Sequence, residues 1–236
     1  MNPTAQDTFA AYRAYVTAHG KLPRTFEDIA KTSNISVVTL REMFSSLHDV
    51  TQQLWEELTF AAAESIQSSA EVVNCNRTEH IILLFMAILD AYEGEHELAL
   101  LTLRPNLARP VTRGIPLLDS SLGIRRALHR VLPSIIAHPK DPQSPMDHLI
   151  DDRILAEGII AAFLSTLAFW VTDRSAGRAH TEAYVDHVAT IIGSALESSV
   201  GTAVVELAKF VGRTRGIPLI TAMMTSPFGS QKNSTQ

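Results

Sequence analysis

Apolar residues recur three and four positions apart along almost the whole chain, and no stretch alternates apolar and polar residues over the length of a strand. A period near 3.6 gathers such residues on one face of a helix, whereas a half-buried strand needs a period of two. The fold class that follows is all-α. A length of 236 residues exceeds the usual single domain and falls short of two full ones, so a small helical module joined to a larger helical bundle is expected.

The breakers divide the pattern. A first helix runs over about 5–19, with Phe9, Tyr12 and Val16 facing a core, and ends at Gly20 and the Lys21-Leu22-Pro23 turn. Thr25 caps a short second helix, with Asp28 in the capping-box position and Ile29 and Ala30 inward, which stops near Ser33-Asn34. Ser36 caps a third, running through Thr39, Leu40, Met43 and Phe44 and closed by Ser45-Ser46. A long helix then starts near Asp49 and reaches residues 68–69, with Val50, Leu54, Leu58 and Ala61 as its apolar stripe. Further helices are expected near 78–92, 95–103, 121–137, 147–172 and 181–213, with proline-bearing loops at 105–119 and 138–145. The segment 226–236, rich in Ser, Gln and Asn, lacks the apolar surface to pack and reads as a disordered tail.

Several function classes fall away at this level. No nucleophile elbow, phosphate loop, dinucleotide fingerprint or His-Glu-x-x-His occurs, so neither an enzyme nor a cofactor is expected. Cys75 is the one cysteine, which excludes an internal disulfide framework and fits a reducing compartment. Nothing near the N-terminus reads as a signal peptide, and the apolar run 158–171 is shorter than the roughly 20 residues of a membrane span; a cytoplasmic protein with no membrane partner is expected. His148 with Asp151 and Asp152, and His180 with Asp186 and His187, have helical ligand spacing but read as solvated faces, so no metal is assigned. Thr-Arg-Gly-Ile-Pro-Leu occurs at both 112–117 and 214–219 without flanking similarity, and reads as two similar connectors.

Two short helices meeting at a tight turn, the second with a polar N-terminus, form the unit that lays a recognition helix in the DNA major groove, although a plain packing corner has the same outline. More specific is the run Thr25-Phe-Glu-Asp-Ile29-Ala30-Lys-Thr-Ser33-Asn34-Ile35-Ser36-Val-Val-Thr39-Leu40-Arg41-Glu-Met-Phe44, preceded by Gly20. It resembles the N-terminal signature of the TetR family of bacterial transcriptional regulators in its glycine, Thr cap, Ile-Ala pair, aliphatic-Ser turn, Thr-Leu pair and closing Phe. Phe169-Trp170-Val-Thr-Asp173-Arg-Ser175, followed by Thr181, is similar to the Trp-x-x-Asp-x-Ser segment before the final helix of many TetR proteins. By residue type alone, Asp173 and Ser175 turn the chain there and Thr181 caps the next helix.

The resemblance implies a TetR-like fold: a helix-turn-helix DNA-binding domain over 1–48 and a ligand-binding and dimerisation domain over 49–225. It implies that the helix from Ser36 enters the major groove with Val37, Val38 and Thr39 at base edges, while Thr25 and the start of the fourth helix hold phosphates. Valine and threonine methyls suit thymine methyls, and Arg41 suits guanine or phosphate. Three departures stand out: Asn34 for the usual turn glycine, Arg41 for a tyrosine, and Leu47 for a lysine. Asparagine tolerates the left-handed backbone that glycine supplies, and Arg41 can hold a phosphate, but Leu47 cannot. Arg24 beside the Thr25 cap and His48 beside Leu47 are the compensating candidates.

The chain's net charge is −5, and in residues 1–50 five basic residues are balanced by five acidic ones, so phosphate-driven affinity should be weak per monomer. A homodimer on a double-stranded operator doubles each contact, and small residues such as Gly158, Ala161, Ala162, Gly193, Ala195 and Gly201 suit close helix pairing between subunits. Phe85, Met86, Leu89, Leu128, Phe163, Leu167 and Trp170 suit the lining of a pocket for a small hydrophobic effector. The expected function is a transcriptional repressor released from a palindromic operator by that effector. The competing readings are a binding protein on the same scaffold without DNA recognition, similar to the TetR-like lipid-binding accessory proteins of ubiquinone biosynthesis, and a regulator whose Val37-Val38 face meets a protein partner.

Overall fold

The computed structural model describes residues 3–69, 72, 75–103, 121–136 and 152–197. Every regular element among them is a helix: α1 Ala5–His19, α2 Phe26–Thr32, α3 Val37–Met43, α4 Leu47–Gln67, α5 Arg77–Glu93, α6 His96–Thr102, α7 Leu122–Ile136, α8 Asp152–Thr172 and α9 Ala179–Glu197, with a 3-10 turn at Ala176–Arg178 before the last. The all-α expectation holds. The loops at 105–119 and 138–145, the duplicated hexapeptide, His148 and Asp151, Gly201 and the segment 226–236 lie outside the described residues.

Caps set the helix starts. Thr4 opens α1 with a reciprocal box to Asp7, and Gly20 closes it at φ 59, a left-handed conformation that costs glycine no Cβ clash. Asn76 and Glu79 form the same box on α5. Ser46, expected to close α3, instead opens α4: its hydroxyl accepts the Asp49 N–H at 3.1 Å, while the Asp49 carboxylate accepts the Ser45 N–H at 3.0 Å. The fourth helix therefore begins at Leu47, one half-turn earlier than expected.

Phe9, Tyr12 and Val16 of α1 close over Ile29, Ile35, Leu40 and Phe44, with the Phe9 and Phe44 rings 5.9 Å apart. The turn between α2 and α3 differs from expectation. Among the described residues Arg178 is the only non-glycine at positive φ, so Asn34 does not supply a left-handed turn. Ser33 closes it instead, donating from its hydroxyl to the Ile29 carbonyl at 3.0 Å and accepting the Ile35 N–H at 3.3 Å, a side-chain route that removes the need for glycine.

The stripe on α4 also shifts. Val50 and Leu54 are buried, but Leu58 is half-buried and Ala61 exposed, while Thr51, Gln52, Trp55, Thr59 and Ala63 are buried. The cause is tertiary: α4 is covered from several sides, by α1, α5 and α7, so its buried arc is wider than one stripe. Its polar positions are satisfied, with Thr51 bonded to Tyr12 at 3.0 Å and Thr59 to Tyr92. Trp55 donates its indole N–H to Thr102 at 3.2 Å and meets Tyr92 edge-on at 4.7 Å.

Across the bundle, α9 packs on α5 and α8. The 18 residues Leu155–Thr172 of α8 are long and apolar enough to match a membrane span by composition, more than the run 158–171 suggested, yet half of that window is buried in the fold, as in a core helix. Asp173 turns the chain where α8 passes to α9, as expected, and also takes the capping role expected of Thr181. The Asp173 carboxylate is the acceptor, taking the Thr181 N–H at 2.9 Å, its O–H at 2.6 Å and the Ser175 N–H at 2.9 Å. These bonds, the Thr181 hydroxyl first, hold its carboxyl well below the usual carboxylate range.

Candidate nucleic-acid interface and its connection to the core

The start of α3 is shaped by two hydroxyls. Ser36 Oγ accepts the Thr39 N–H at 3.1 Å and lies 2.9 Å from Thr39 Oγ1, which satisfies one of the donors a helix start leaves open. Leu40, fully buried, anchors the helix from beneath, and the opposite side carries Val38 at 66% exposure with Val37 and Thr39 half-buried. The Val38 side chain projects into solvent rather than into the core.

Arg24, Thr25 and Arg41 meet around two carboxylates. The Asp28 side chain accepts the backbone N–H of Arg24 at 3.0 Å and of Thr25 at 3.2 Å, bonds that hold its carboxyl below the ordinary value. The Arg41 guanidinium bonds Glu27 at 3.1 Å with both side chains largely exposed. Glu27 is also held below its ordinary value, first by a backbone N–H, then by the Thr25 hydroxyl and, more weakly, by Arg41. Leu47 is half-buried against the core, whereas His48 is exposed in the first turn of α4 with its Nε2 2.6 Å from Gln52 Nε2.

The seven residues expected around an effector fall on three neighbouring helices: Phe85, Met86 and Leu89 on α5, Leu128 on α7, and Phe163, Leu167 and Trp170 on α8. All belong to one apolar region, six of them at 4% exposure or less and Met86 half-buried at its edge. Phe85 and Phe163 meet edge-on at 5.1 Å, and Trp170 is packed by Tyr92 at 6.2 Å and His96 at 5.1 Å. Burial, with the coulombic effect of Arg178, pushes the His96 imidazole below its ordinary value. Among the described residues no three His, Cys, Asp or Glu side chains converge as a metal site would require.

Sequence reading missed the residues that tie this region together. Arg178, at φ 59, stacks on Trp170 at 5.0 Å, donates to the carbonyls of Trp170 and Asp173 at 3.0 and 2.9 Å, and pairs with Glu93 at 3.1 Å. It closes the end of α8 and fastens it to α5. Along α4 and α7, Arg126 bonds Glu56 at 2.7 Å, Arg130 covers the Phe60 ring at 4.1 Å, and Gln67 bonds Ser134 at 2.6 Å. Gly123 lies against α4 so closely that an added Cβ would stand 1.9 Å from the Gln52 carbonyl oxygen. No local motif marks these residues, because each acts on a helix distant in sequence.

A short helix-turn-helix ahead of a larger helical domain with an apolar interior places the chain in the class of helical transcriptional regulators with a ligand-binding domain. Residues 80–211, over half of the chain, match the family model described as Tetracyclin repressor-like, C-terminal domain. The chain belongs to the TetR family of transcriptional regulators. Its fold is similar to that of the TetR transcriptional regulator from Nitrosomonas europaea, with a TM-score of 0.57 at 15% identity over 81% of this chain and 98% of that one. It is also similar to the transcriptional regulator FadR from Bacillus subtilis, solved in complex with stearoyl-CoA, with a TM-score of 0.51 at 16% identity over 80% and 97%. The fatty acid degradation regulator FadR from Bacillus halodurans gives a TM-score of 0.52 at 16% identity over 81% and 95%. No curated protein matches the chain.

Proposed function

We propose that this protein is a dimeric repressor that binds a palindromic operator through α3 and is released by a small hydrophobic effector held among α5, α7 and α8. The observation that carries the reading is Val38: a large apolar side chain 66% exposed on the capped, otherwise anchored start of the second helix of a helix-turn-helix. Val37, Val38 and Thr39 then read base edges, Ser36 fixes the helix start, and Arg24, Thr25, Arg41 and His48 face phosphates. The module divides from the ligand-binding part at the break between α3 and α4. Two copies associate through α8 and α9, where Gly158 and Ala161 are exposed and Ile191 is 63% exposed.

The effector reading rests on the apolar region formed by the seven aromatic and aliphatic side chains named above. A fold relative solved with stearoyl-CoA makes a long acyl chain the first effector to try. Effector binding then favours a spacing of the two α3 helices that no longer fits successive major grooves.

Selection of genomic fragments with purified protein at fixed salt tests the DNA half. A discrete palindromic site is expected, with binding lost in Val38→Asp; failure to enrich any site overturns the repressor reading. A second reading, the same scaffold without DNA recognition, has its own support in the half-buried Leu47 and in the Arg41–Glu27 pair, which occupies a base suited to phosphate. That reading expects acyl ligands to raise the melting temperature while no fragment is enriched.

A further inference from the structure

Gln52 is a buried polar side chain, 8% exposed, on the helix joining the two parts of the fold, and it is held at both ends. Its amide oxygen lies 3.4 Å from Arg126 Nη1, and its amide nitrogen lies 2.6 Å from His48 Nε2. Arg126 is itself oriented by Glu56, whose carboxylate it meets at 2.7 Å and which Arg130 approaches at 3.6 Å. The backbone of Gln52 is met by Gly123 of α7, where an added Cβ would stand 1.9 Å from the Gln52 carbonyl oxygen. A continuous polar path therefore runs from α7 through Gln52 to the first turn of α4.

The chemistry of this path has a direction. A guanidinium only donates, so Arg126 requires the oxygen end of the Gln52 amide, and the NH2 end must then point at His48. An NH2 group also only donates, so the ring nitrogen it meets, Nε2, must be the acceptor and the ring proton must sit on Nδ1. We infer that Arg126, acting through Gln52, is a positioning residue that sets the tautomer of His48 and so decides which ring N–H the first turn of α4 can offer to a phosphate. Displacement of α7 from α4 frees the amide to turn over, Gln52 then presents its oxygen, and the proton moves to Nε2. The position of α7, a helix that also carries the core residue Leu128, is thereby written into the hydrogen-bonding of a proposed DNA contact. The phosphate part rests on the repressor reading above; the tautomer part does not.

The test is the 15N–1H correlation pattern of the His48 ring in the full-length protein, assigned by its loss in His48→Gln, at a pH well above the ordinary imidazole range. The wild type is expected to show the Nδ1–H tautomer. Arg126→Met is expected to give a mixture of both tautomers, and Arg126→Lys, which still donates to the amide oxygen, to restore the wild-type pattern. Gln52→Glu, with no N–H to offer, is expected to place the proton on Nε2, and it serves if Arg126→Met does not fold. An Nε2–H wild type, or a pattern unchanged in folded Arg126→Met or in Gln52→Glu, overturns the inference. Operator titrations on the same proteins read the second half, with about a threefold or greater loss of affinity expected in Arg126→Met, several tenths of a kcal/mol or more, and none in Arg126→Lys. Tautomers that respond while operator affinity does not would overturn the DNA role and leave the positioning role standing; a wild type that binds no operator would count against the repressor reading alone.

Discussion

At 64% exposure and 3.1 Å from Glu27, the Arg41 guanidinium sits in an ion pair that contributes little to folding, because exposed pairs are solvent-screened. Its larger consequence is for the proposed binding, in which a phosphate would compete with Glu27 for the arginine. Glu27→Gln is expected to tighten operator affinity about fivefold, near 1 kcal/mol, in a fluorescence anisotropy titration, and an unchanged or weaker affinity would remove Arg41 from the interface. Asp173 gives a prediction in pH. Its carboxyl is depressed in the folded state, so the stability it contributes is present above the unfolded value of about 3.9 and is lost as pH falls through the lower folded one. Asp173→Asn should melt below the wild type at neutral pH, and the gap should close in acid melts below about pH 4. The caps at Thr25 and Ser36 were legible in sequence because a cap and its partner lie three residues apart. Ser33 was not, since nothing local says whether Ser33 or Asn34 will close the turn.

Among the helices, Gly123 brings the start of α7 against the backbone of α4 at Gln52. Gly123→Ala would drive a methyl toward the Gln52 carbonyl, a backbone atom that cannot rotate away, and α7 must shift as a body. Overpacking of this kind costs about 1–3 kcal/mol, so chemical denaturation of Gly123→Ala should show a clearly lower midpoint, while Gly94→Ala, at φ −66 with nothing within 4 Å of an added Cβ, should not fall below the wild type. Equal midpoints would show that the crossing is looser than described. The existence and approximate span of these helices followed from period and caps. Which face of α4 is buried did not: Thr51, Gln52 and Thr59 are polar, and only α1, α5 and α7 closing around them with matching groups makes their burial possible.

Over the whole molecule, the first three helices and the later ones are linked by α4 and by direct ties from α1. Tyr12 bonds Thr51, and Arg13 meets Glu95 at 2.6 Å. Burial pushes the Glu95 carboxyl up despite Arg13, so its ionised form is a net cost to the fold, relieved at low pH and growing as pH rises through the folded value. Removing the arginine raises that carboxyl further. Arg13→Ala should therefore lose about 1–2 kcal/mol at neutral pH, less than the ~3–5 typical of a fully buried pair, with a smaller deficit near pH 4 to 5. A deficit independent of pH in matched thermal melts would mean that the pair carries no burial cost.

The sequence by itself determined the all-helical class and the two short helices about a tight turn, because periodicity, caps and turn residues act within about four residues of one another; the family came from the resemblance of two segments of the chain. Tertiary structure alone decided that Gln52 faces Arg126, that Gly123 must be glycine, that Arg178 closes α8 and that Arg41 meets Glu27. Glu56 and Arg126 are separated by 70 positions and Glu93 and Arg178 by 85. No local energy selects such partners; they meet only once the helices have packed.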